Sequence, residues 1–456
     1  MAKWASTVLE KDVEITTLGT GSALPSKYRN VSATLLRVPG WGSMLFDCGE
    51  NTLGQLKRAF TPEEFEEIIR GLRLIVISHM HADHHLGTVS VIKAWYEKVH
   101  QLKPASTPLP TTPVPDLFQD GQRLAVISEP AMATWLEEYA AVEDYGYSRI
   151  APLTVSPAFP DRGQVSRLNW NVSGVTLKGM NYQDRQEKLD AMLVSPSLLG
   201  LQDVQACLVK HCHGARAISI TWPTGFKASY SGDCRPSARF SQIGKGSTVC
   251  IHEATFDDEL QGDADAKNHS TTSEALGVAQ AMGAKACVLT HFSQRYQKLP
   301  VLEHAAEDEP SVEDIVTAED VAMTNAPESA VEGGDVDANP DEMTEGPLGG
   351  DEAPSLPAQD ADTASGQQYN LPDKVEKVPT AVNFKLKSDM KVCVAFDYMR
   401  VKVGEIIEMQ HFTPVLLKLL AEEEKKKEQE AVAATEKVDE DKRKKGKQGK
   451  QNKKQK

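Results

Sequence analysis

Short runs of β-branched and aliphatic residues, each closed by glycine, proline or a polar side chain, recur along this chain. Such runs predict strands. Val13–Leu18, Ala33–Arg37 and Ser43–Asp47 give the first three, and Leu72–Ile77 reads as a further, buried strand. After it, Leu86, Val89, Ile92, Trp95 and Val99 recur every three or four residues, one apolar face of a helix. Arg123–Ser128 resumes as a strand and Ala131–Ala140 as a helix, whereas 141–205 resolves only into mixed strands and loops. Strand signals return at Ala206–Val209, Ala217–Trp222, Phe226–Ser231, Thr248–His252 and Lys285–Thr290. Thr271 or Thr272 is placed to cap an intervening helix, with Glu274 in its first turn. A last strand pair is expected at Lys391–Phe396 and Met399–Val403. Many of these strands end near a residue capable of chemistry, the plan of an α/β sheet whose site runs along one edge.

Length allows two or three average domains, or one large two-layer domain with additions, in 456 residues. We expect the main fold over 1–302, an acidic disordered insert at 303–373, a return of the fold at 374–421 and a charged, Lys-rich tail at 422–456. Lys103–Asp116, rich in Pro, Ser and Thr, reads as a flexible loop grafted onto the fold. The formal net charge of −15 would seem to exclude nucleic acid, but its location matters. Between Glu303 and Asp362 stand 19 Asp or Glu and no Lys or Arg, so the rest of the chain carries +4. Local field, not total charge, governs binding to phosphates. From Lys442 the last fifteen residues hold nine Lys or Arg and no acid, a nuclear address, an RNA-holding arm or a plain solvated extension.

No run of about 18 apolar residues occurs, so no membrane partner is expected. The opening Met1-Ala2-Lys3-Trp4-Ala5 lacks the apolar core of a signal peptide. A soluble intracellular protein is expected, in the nucleus, with mitochondrion or cytoplasm as alternatives. Seven scattered cysteines without a C-x-x-C pair argue against a disulfide framework.

The chemistry concentrates in Ser78-His79-Met80-His81-Ala82-Asp83-His84-His85-Leu86-Gly87, on the loop after the buried strand. Three imidazoles and a carboxylate there, at 79, 81, 83 and 84, suit a metal. Without thiolate the set selects zinc, manganese or iron over a structural Cys cage. The set offers more donors than one tetrahedral ion takes while keeping a water position open, so a second metal is expected. His211, Asp233 and His291, each at a strand end, bring the candidate ligands to seven. That number fits two metals sharing a bridging carboxylate and a hydroxide, a hydrolytic site. Alone, His211 would pass for a core histidine and Asp233 for a turn residue after Gly232. Glu253 and His269 remain, either as a proton shuttle to a leaving alkoxide or as support for the ligands. The loop from Gly19 to Asn30 exposes amides at its glycines and carries Lys27 and Arg29, a combination suited to phosphate and equally to an ordinary tight turn.

In order, Leu18-Gly19-Thr20-Gly21-Ser22 with Pro25-x-Lys27-x-Arg29-Asn30, His79-x-His81-x-Asp83-His84, His211, Gly232-Asp233, His252-Glu253-Ala254-Thr255, His269-Ser270-Thr271 and His291 resemble the ribonuclease Z family. Ala395-x-Asp397-x-Met399 extends the resemblance past the acidic stretch. It implies the metallo-β-lactamase αββα sandwich and an endonuclease that removes 3′ trailers from precursor tRNA, leaving a 3′-OH. His79, His81 and His211 would hold one zinc, Asp83, His84 and His291 the other, and Asp233 would bridge them, with manganese or magnesium as possible substitutes. Asp83 would also orient the water. Glu253 with His269 would protonate the departing 3′ oxygen. Lys27, Arg29 and Asn30 would lie near the cleavage site, and Arg235 is a further candidate substrate contact.

One departure stands out. Short family members insert a tRNA-gripping arm between the third histidine and the bridging aspartate, whereas here His211 and Asp233 are 22 residues apart. This spacing resembles the carboxyl-terminal catalytic half of the long eukaryotic form. A truncated chain, or one relying on an arm-bearing amino-terminal half or a homo-oligomer partner, is therefore expected. The rivals are another hydrolase of the same superfamily and a non-catalytic tRNA-binding scaffold. A β-CASP nuclease needs a large inserted domain that does not fit between 211 and 291. A glyoxalase has no use for Lys27 and Arg29, and a scaffold should have lost ligands.

Overall fold

The computed structural model describes residues 2–105, 122–170, 182–195, 199–293 and 389–409. All fall in the unit formed by Met1–Ala305 and Val375–Lys456. The loop reading from 106 onward, the acidic insert and the tail from 422 lie outside the described residues.

Two sheets form. The first takes β1 (Glu14–Gly19), β2 (Ala33–Val38), β3 (Gly42–Phe46), β4 (Leu72–Val76), β5 (Leu124–Ile127), β6 (Ile150–Val155) and β7 (Leu168–Trp170) in sequence order. The second takes β8 (Asp203–Leu208), β9 (Arg216–Thr221), β10 (Lys227–Tyr230), β11 (Val249–Glu253), β12 (Ala286–Thr290) and β13 (Lys391–Val394). β14 (Arg400–Lys402) closes the outer edge of the first sheet beside β1.

The two-residue period of each strand sorts its apolar side chains into layers. Leu36, Phe46, Leu74 and Val76 face inward, against Ile218, Ile220, Tyr230 and Ile251 of the second sheet. Phe46 stacks on Tyr230 with ring centroids 4.9 Å apart. The alternate residues Leu35, Leu45 and Ile75 face outward, onto Leu56, Ile68, Ile92 and Leu136 of helices Thr52–Ala59, Pro62–Arg70, Thr88–His100 and Pro130–Ala140. On the other outer face Ala217, Cys250 and Cys287 meet Phe240 and Leu276 of helices Ala238–Ile243 and Thr272–Ala281. The result is a helix–sheet–sheet–helix sandwich with three apolar layers.

Several features differ from the sequence reading, among them a helix at Tyr182–Val194 within the stretch expected to hold only mixed strands and loops. The strands expected to pair at Lys391–Phe396 and Met399–Val403 separate. β13 lies parallel to β12 and β14 antiparallel to β1. Tyr398, at φ 66°, turns the chain out of one sheet into the other, and its N–H donates to Thr17 O at 2.7 Å. Helices Thr52–Ala59 and Pro62–Arg70 were not foreseen, although the second carries a start signal. Thr61 and Glu64 cap each other's backbone and Pro62 opens the first turn.

Candidate metal centre

The carboxyl ends of β3, β4, β10, β11 and β12 meet along one edge, where residues beyond the ladders are free to turn inward. His79 follows β4, and His81 stands at the start of a helical turn, Ala82–His85, that carries Asp83 and His84. His211 sits on the turn after β8, Asp233 just past β10 and His291 just past β12. The approach of β10 to β4 requires glycine at 232. Its φ is +55°, and a Cβ there would lie 2.6 Å from Cβ of Ser78. His291 and Asp47 also hold positive φ, 61° and 55°, strain of the kind that clusters at functional sites.

The seven expected ligands come together. His81 Nδ1 lies 3.0 Å from both His79 Nε2 and His211 Nε2. Asp233 Oδ2 is 3.8 Å from His79 Nε2 and 3.6 Å from His211 Nε2. On the other side Asp83 Oδ2 is 3.5 and 3.6 Å from Nε2 of His84 and His291, which are themselves 3.2 Å apart. Asp233 reaches this group too, with Oδ2 3.2 Å from His84 Nε2 and Oδ1 3.3 Å from His291 Nε2.

The hydrogen bonds behind the ligands fix which ring nitrogen faces inward. Ser78 Oγ donates to Asp47 at 2.8 Å, so His79 Nδ1–H must be the donor in its 3.0 Å bond to that hydroxyl. His84 Nδ1–H donates to Asp47 Oδ2 at 2.6 Å, and His211 Nδ1–H to Asn268 O at 3.1 Å. Thr255 Oγ1 donates to Glu253 at 2.6 Å and accepts from His291 Nδ1–H at 2.9 Å. Four Nε2 lone pairs therefore point into one space. Nitrogen ligands about 2.0–2.1 Å from a tetrahedral cation stand about 3.3 Å from one another, close to the separations found here.

Charge agrees with geometry. Burial holds His79, His81 and His211 below the usual histidine range, with His84 adding to the effect on His79, which favours the neutral form that ligates a metal. Burial opposes charge on Asp83 and Asp233, but the surrounding histidines outweigh it and keep both carboxyls well below the usual range. Burial also opposes protonation of His84, yet Asp233, Asp47 and Asp83 together push it well above its ordinary value. A bound cation would take that proton's place. Asp233 Oδ1, moreover, is buried without a hydrogen-bond partner. The cluster fits a dinuclear metal site.

Asp47, fully buried, is the functional residue that the sequence reading missed. It accepts from Ser78 N at 2.7 Å, Ser78 Oγ, His84 and Tyr230 Oη at 2.6 Å. A single aspartate closing a strand looks like a turn residue, and only its place beside β4 reveals it.

Glu253 and His269 sit beside Asp233. His269 Nδ1 lies 3.0 Å from Glu253 Oε1 and 3.9 Å from Asp233 Oδ2. Glu253, fully buried, also accepts from Cys234 N at 2.8 Å and Thr255 N at 3.1 Å, which fixes its carboxylate. Burial works against charge on His269, but Glu253 prevails and lifts its pKa to about 9.

The four expected substrate contacts have different surroundings. Arg29 donates to Thr20 Oγ1 at 2.6 Å and Ala395 O at 3.0 Å and packs over Phe292. Burial lowers its pKa to about 10, with Asp397 opposing. Asn30 gives its backbone N–H to Asp397 and its side chain to Glu50 O at 2.8 Å. Arg235 is bound by Glu274 and by Asp265 at 2.7 Å. Lys27 alone of the four is exposed, with its ammonium over Tyr28. The loop that Lys27, Arg29 and Asn30 share reaches the centre through Ala23, whose N–H donates to Asp83 Oδ2 at 2.7 Å. A cleft of about 470 Å³ lined by Glu14, Arg37, Trp41 and Gly71 lies at the opposite ends of β1 to β3, away from these ligands.

The family model of "Anti-Pycsar protein Apyc1" matches residues 13–105. Ribonuclease Z 1 of Schizosaccharomyces pombe is 38% identical over 309 residues, covering 65% of this chain and 33% of that protein. Zinc phosphodiesterase ELAC protein 2 of Mus musculus is 35% identical over 288 residues, 63% of this chain and 30% of that protein. The chain thus spans roughly a third of the length of these relatives. The crystal structure of a long form RNase Z from yeast superposes with a TM-score of 0.59 at 28% identity, covering 90% of this chain and 44% of that one.

Proposed function

Because this chain is a relative of the ribonuclease Z proteins and has the metallo-β-lactamase fold, we propose that it is an endoribonuclease that cleaves the 3′ trailer from precursor tRNA. The observation that carries the reading is the gathering of six ligand residues in two groups about Asp233, with the Glu253–His269 pair alongside. His79, His81 and His211 are assigned to one zinc, Asp83, His84 and His291 to the other, and Asp233 to both. Zinc is preferred because neutral imidazoles with few carboxylates suit it better than magnesium. Two such ions, when bound, would bring the pKa of a shared water toward neutrality and take up charge on a phosphoryl oxygen.

The protein's own groups divide the remaining work. Asp83, held by the Ala23 N–H, orients the attacking oxygen. His269, kept protonated by Glu253, gives its proton to the departing 3′ oxygen of the tRNA, which leaves as a hydroxyl. Lys27 is the exposed cation available to a phosphate, whereas Arg29 and Asn30 shape the loop that presents it. Arg235 acts with Glu274 to hold the backbone of His269. Precursor tRNA is the proposed partner, together with an arm-bearing amino-terminal half or a second copy of the chain. The basic run from Lys442 is proposed as a nuclear address.

The test uses purified protein with a 3′-extended tRNA. Metal analysis should find close to two ions per chain, and cleavage at the 3′ end should stop with chelator and return with zinc. Asp233→Ala should lose both ions. Hydrolysis of a thioester or sulfate ester without RNA cleavage would instead assign a different hydrolase, and tRNA binding without cleavage would assign a scaffold.

A further inference from the structure

The first ligand group has a neighbour with no role in the chemistry above. Cys212 follows His211 directly, and its sulfur lies, with the ligand atoms of His79, His81 and His211, in a set whose members are all within 4.8 Å of one another. The other six cysteines are buried, but Cys212 is half-buried. Its Sγ has one weak contact, with His213 O at 3.7 Å. The turn that carries it is fixed, because Asn268 Nδ2 donates to His211 O at 3.3 Å and Ala215 N–H to Cys212 O at 3.3 Å.

We infer that Cys212 is a latent fourth ligand of the position formed by His79, His81 and His211. The inference rests on the metal reading proposed above. The three imidazole nitrogens stand 3.0 Å apart along the chain of contacts through His81, whereas Asp233 Oδ2 is 3.6 and 3.8 Å from two of them. The carboxylate is shared with the second group, so the fourth vertex of the first is weakly held and open to a competitor. Three imidazoles and one thiolate form a complete tetrahedral set. A hydrolytic site keeps one vertex for water, and a thiolate in that place closes it. On ligation the Sγ–H bond breaks, an Sγ–metal bond forms and the proton leaves to solvent, with no electron transferred. Soft cations favour the thiolate-bound form over the oxygen-bound one. The first position is therefore a point at which a thiophilic ion, for which cadmium is the probe, arrests the protein.

The experiment loads the full chain with cobalt(II) in place of zinc. Visible ligand-field bands report that cobalt is bound, and a near-ultraviolet thiolate-to-cobalt band reports sulfur ligation. The wild type should show the visible bands together with a near-ultraviolet band below full intensity, the thiolate sharing the vertex with water. Cys212→Ser and Cys212→Ala should keep the visible bands and lose the near-ultraviolet one. Cadmium should also displace cobalt from either variant only at concentrations raised by roughly tenfold or more, the scale on which even the outer partners of a ligand alter metal affinity. A wild-type spectrum with visible bands and no thiolate band would overturn the inference and leave the metal reading intact. A thiolate band that survives both substitutions would do the same. Failure of the wild type to bind cobalt would overturn the metal reading and the inference with it.

Discussion

Asp397 accepts two hydrogen bonds from Thr20, from the backbone N–H at 3.0 Å and from Oγ1 at 2.7 Å. Its second oxygen takes the N–H of Asn30. One carboxylate from beyond the acidic stretch thus fastens both ends of the loop whose Ala23 N–H holds Asp83. Phe292, next to His291, fastens the same loop, donating to Thr20 O at 2.8 Å and accepting from Ser22 N at 3.1 Å. Asp397→Asn keeps one acceptor and turns an amide towards a donor. We expect a loss of about 1–3 kcal/mol in denaturant unfolding, the cost of a buried donor left without a partner. The turnover number should fall while metal content stays at the wild-type level. Unchanged turnover with lowered stability would assign Asp397 to the fold alone.

Asp47→Ala should cost more. Its carboxylate serves Ser78 N, Ser78 Oγ, His84 Nδ1 and Tyr230 Oη in a fully buried place. Stability should fall by at least about 3 kcal/mol. Asp47→Asn, with its shape kept, isolates the effect on His84, and zinc affinity should drop by roughly 10- to 100-fold at one position only. Calorimetric titration of the metal-free variant that finds both affinities unchanged would remove Asp47 from the centre.

These two residues show where the sequence was readable and where it was not. The loop at 79–84 was legible because several metal-binding side chains of compatible type crowd into one strand end, which local order alone reveals. The strand cores were legible because aliphatic runs bounded by turns have one physical use, and β12 at Ala286–Thr290 falls within one residue of its expectation. Thr271 with Glu274 was legible as a helix start and forms a reciprocal cap. Asp47 was not, since its meaning depends on a neighbouring strand 31 residues away at Ser78. Nor were the internal partners of Arg29 and Asn30, which come from Asp397 and Ala395 across more than 360 residues. The separation of β13 from β14 was hidden for a related reason. Two short strands near each other in sequence suggest a hairpin, and only the two-sheet sandwich makes a crossing between sheets available.

The pH profile follows from His269. Its pKa of about 9 means that the proton-donating form is present below that value and is lost as pH rises through it. Cleavage should therefore fall on an alkaline limb at or below about 9, since bound cations next to Asp233 oppose protonation of a histidine 3.9 Å from that carboxylate. Glu253→Gln removes the charge that raises the pKa, so the limb should move to lower pH with the metal count unchanged. Initial rates from neutral to alkaline pH on both proteins decide the matter. A limb that does not move assigns the pair to support of the ligands.

The last expectation concerns affinity. Only β9, β10 and the turns around them lie between His211 and Asp233, so this interval holds no protruding arm to add contacts with the body of a tRNA. Phosphate contacts supply much of the affinity of any protein for nucleic acid, and each adds close to one unit of salt slope. Of the cations expected near the scissile bond, only Lys27 is exposed, because Arg29 and Arg235 have protein partners. Binding remote from the reacting phosphate should thus be weak while the chemical step is intact, which raises KM more than it lowers kcat. The 456-residue chain assayed alone on a 3′-extended tRNA should show a high KM with a shallow salt dependence. Adding an arm-bearing amino-terminal half from a long-form relative should lower KM and steepen that dependence, with kcat changed by less. Removal of 442–456, with its nine Lys or Arg, should weaken binding further if that run also touches RNA, and leave it unchanged if it serves only as an address. A KM below about 1 µM for the chain alone, at the tight end of enzyme behaviour, would refute the argument from the short interval.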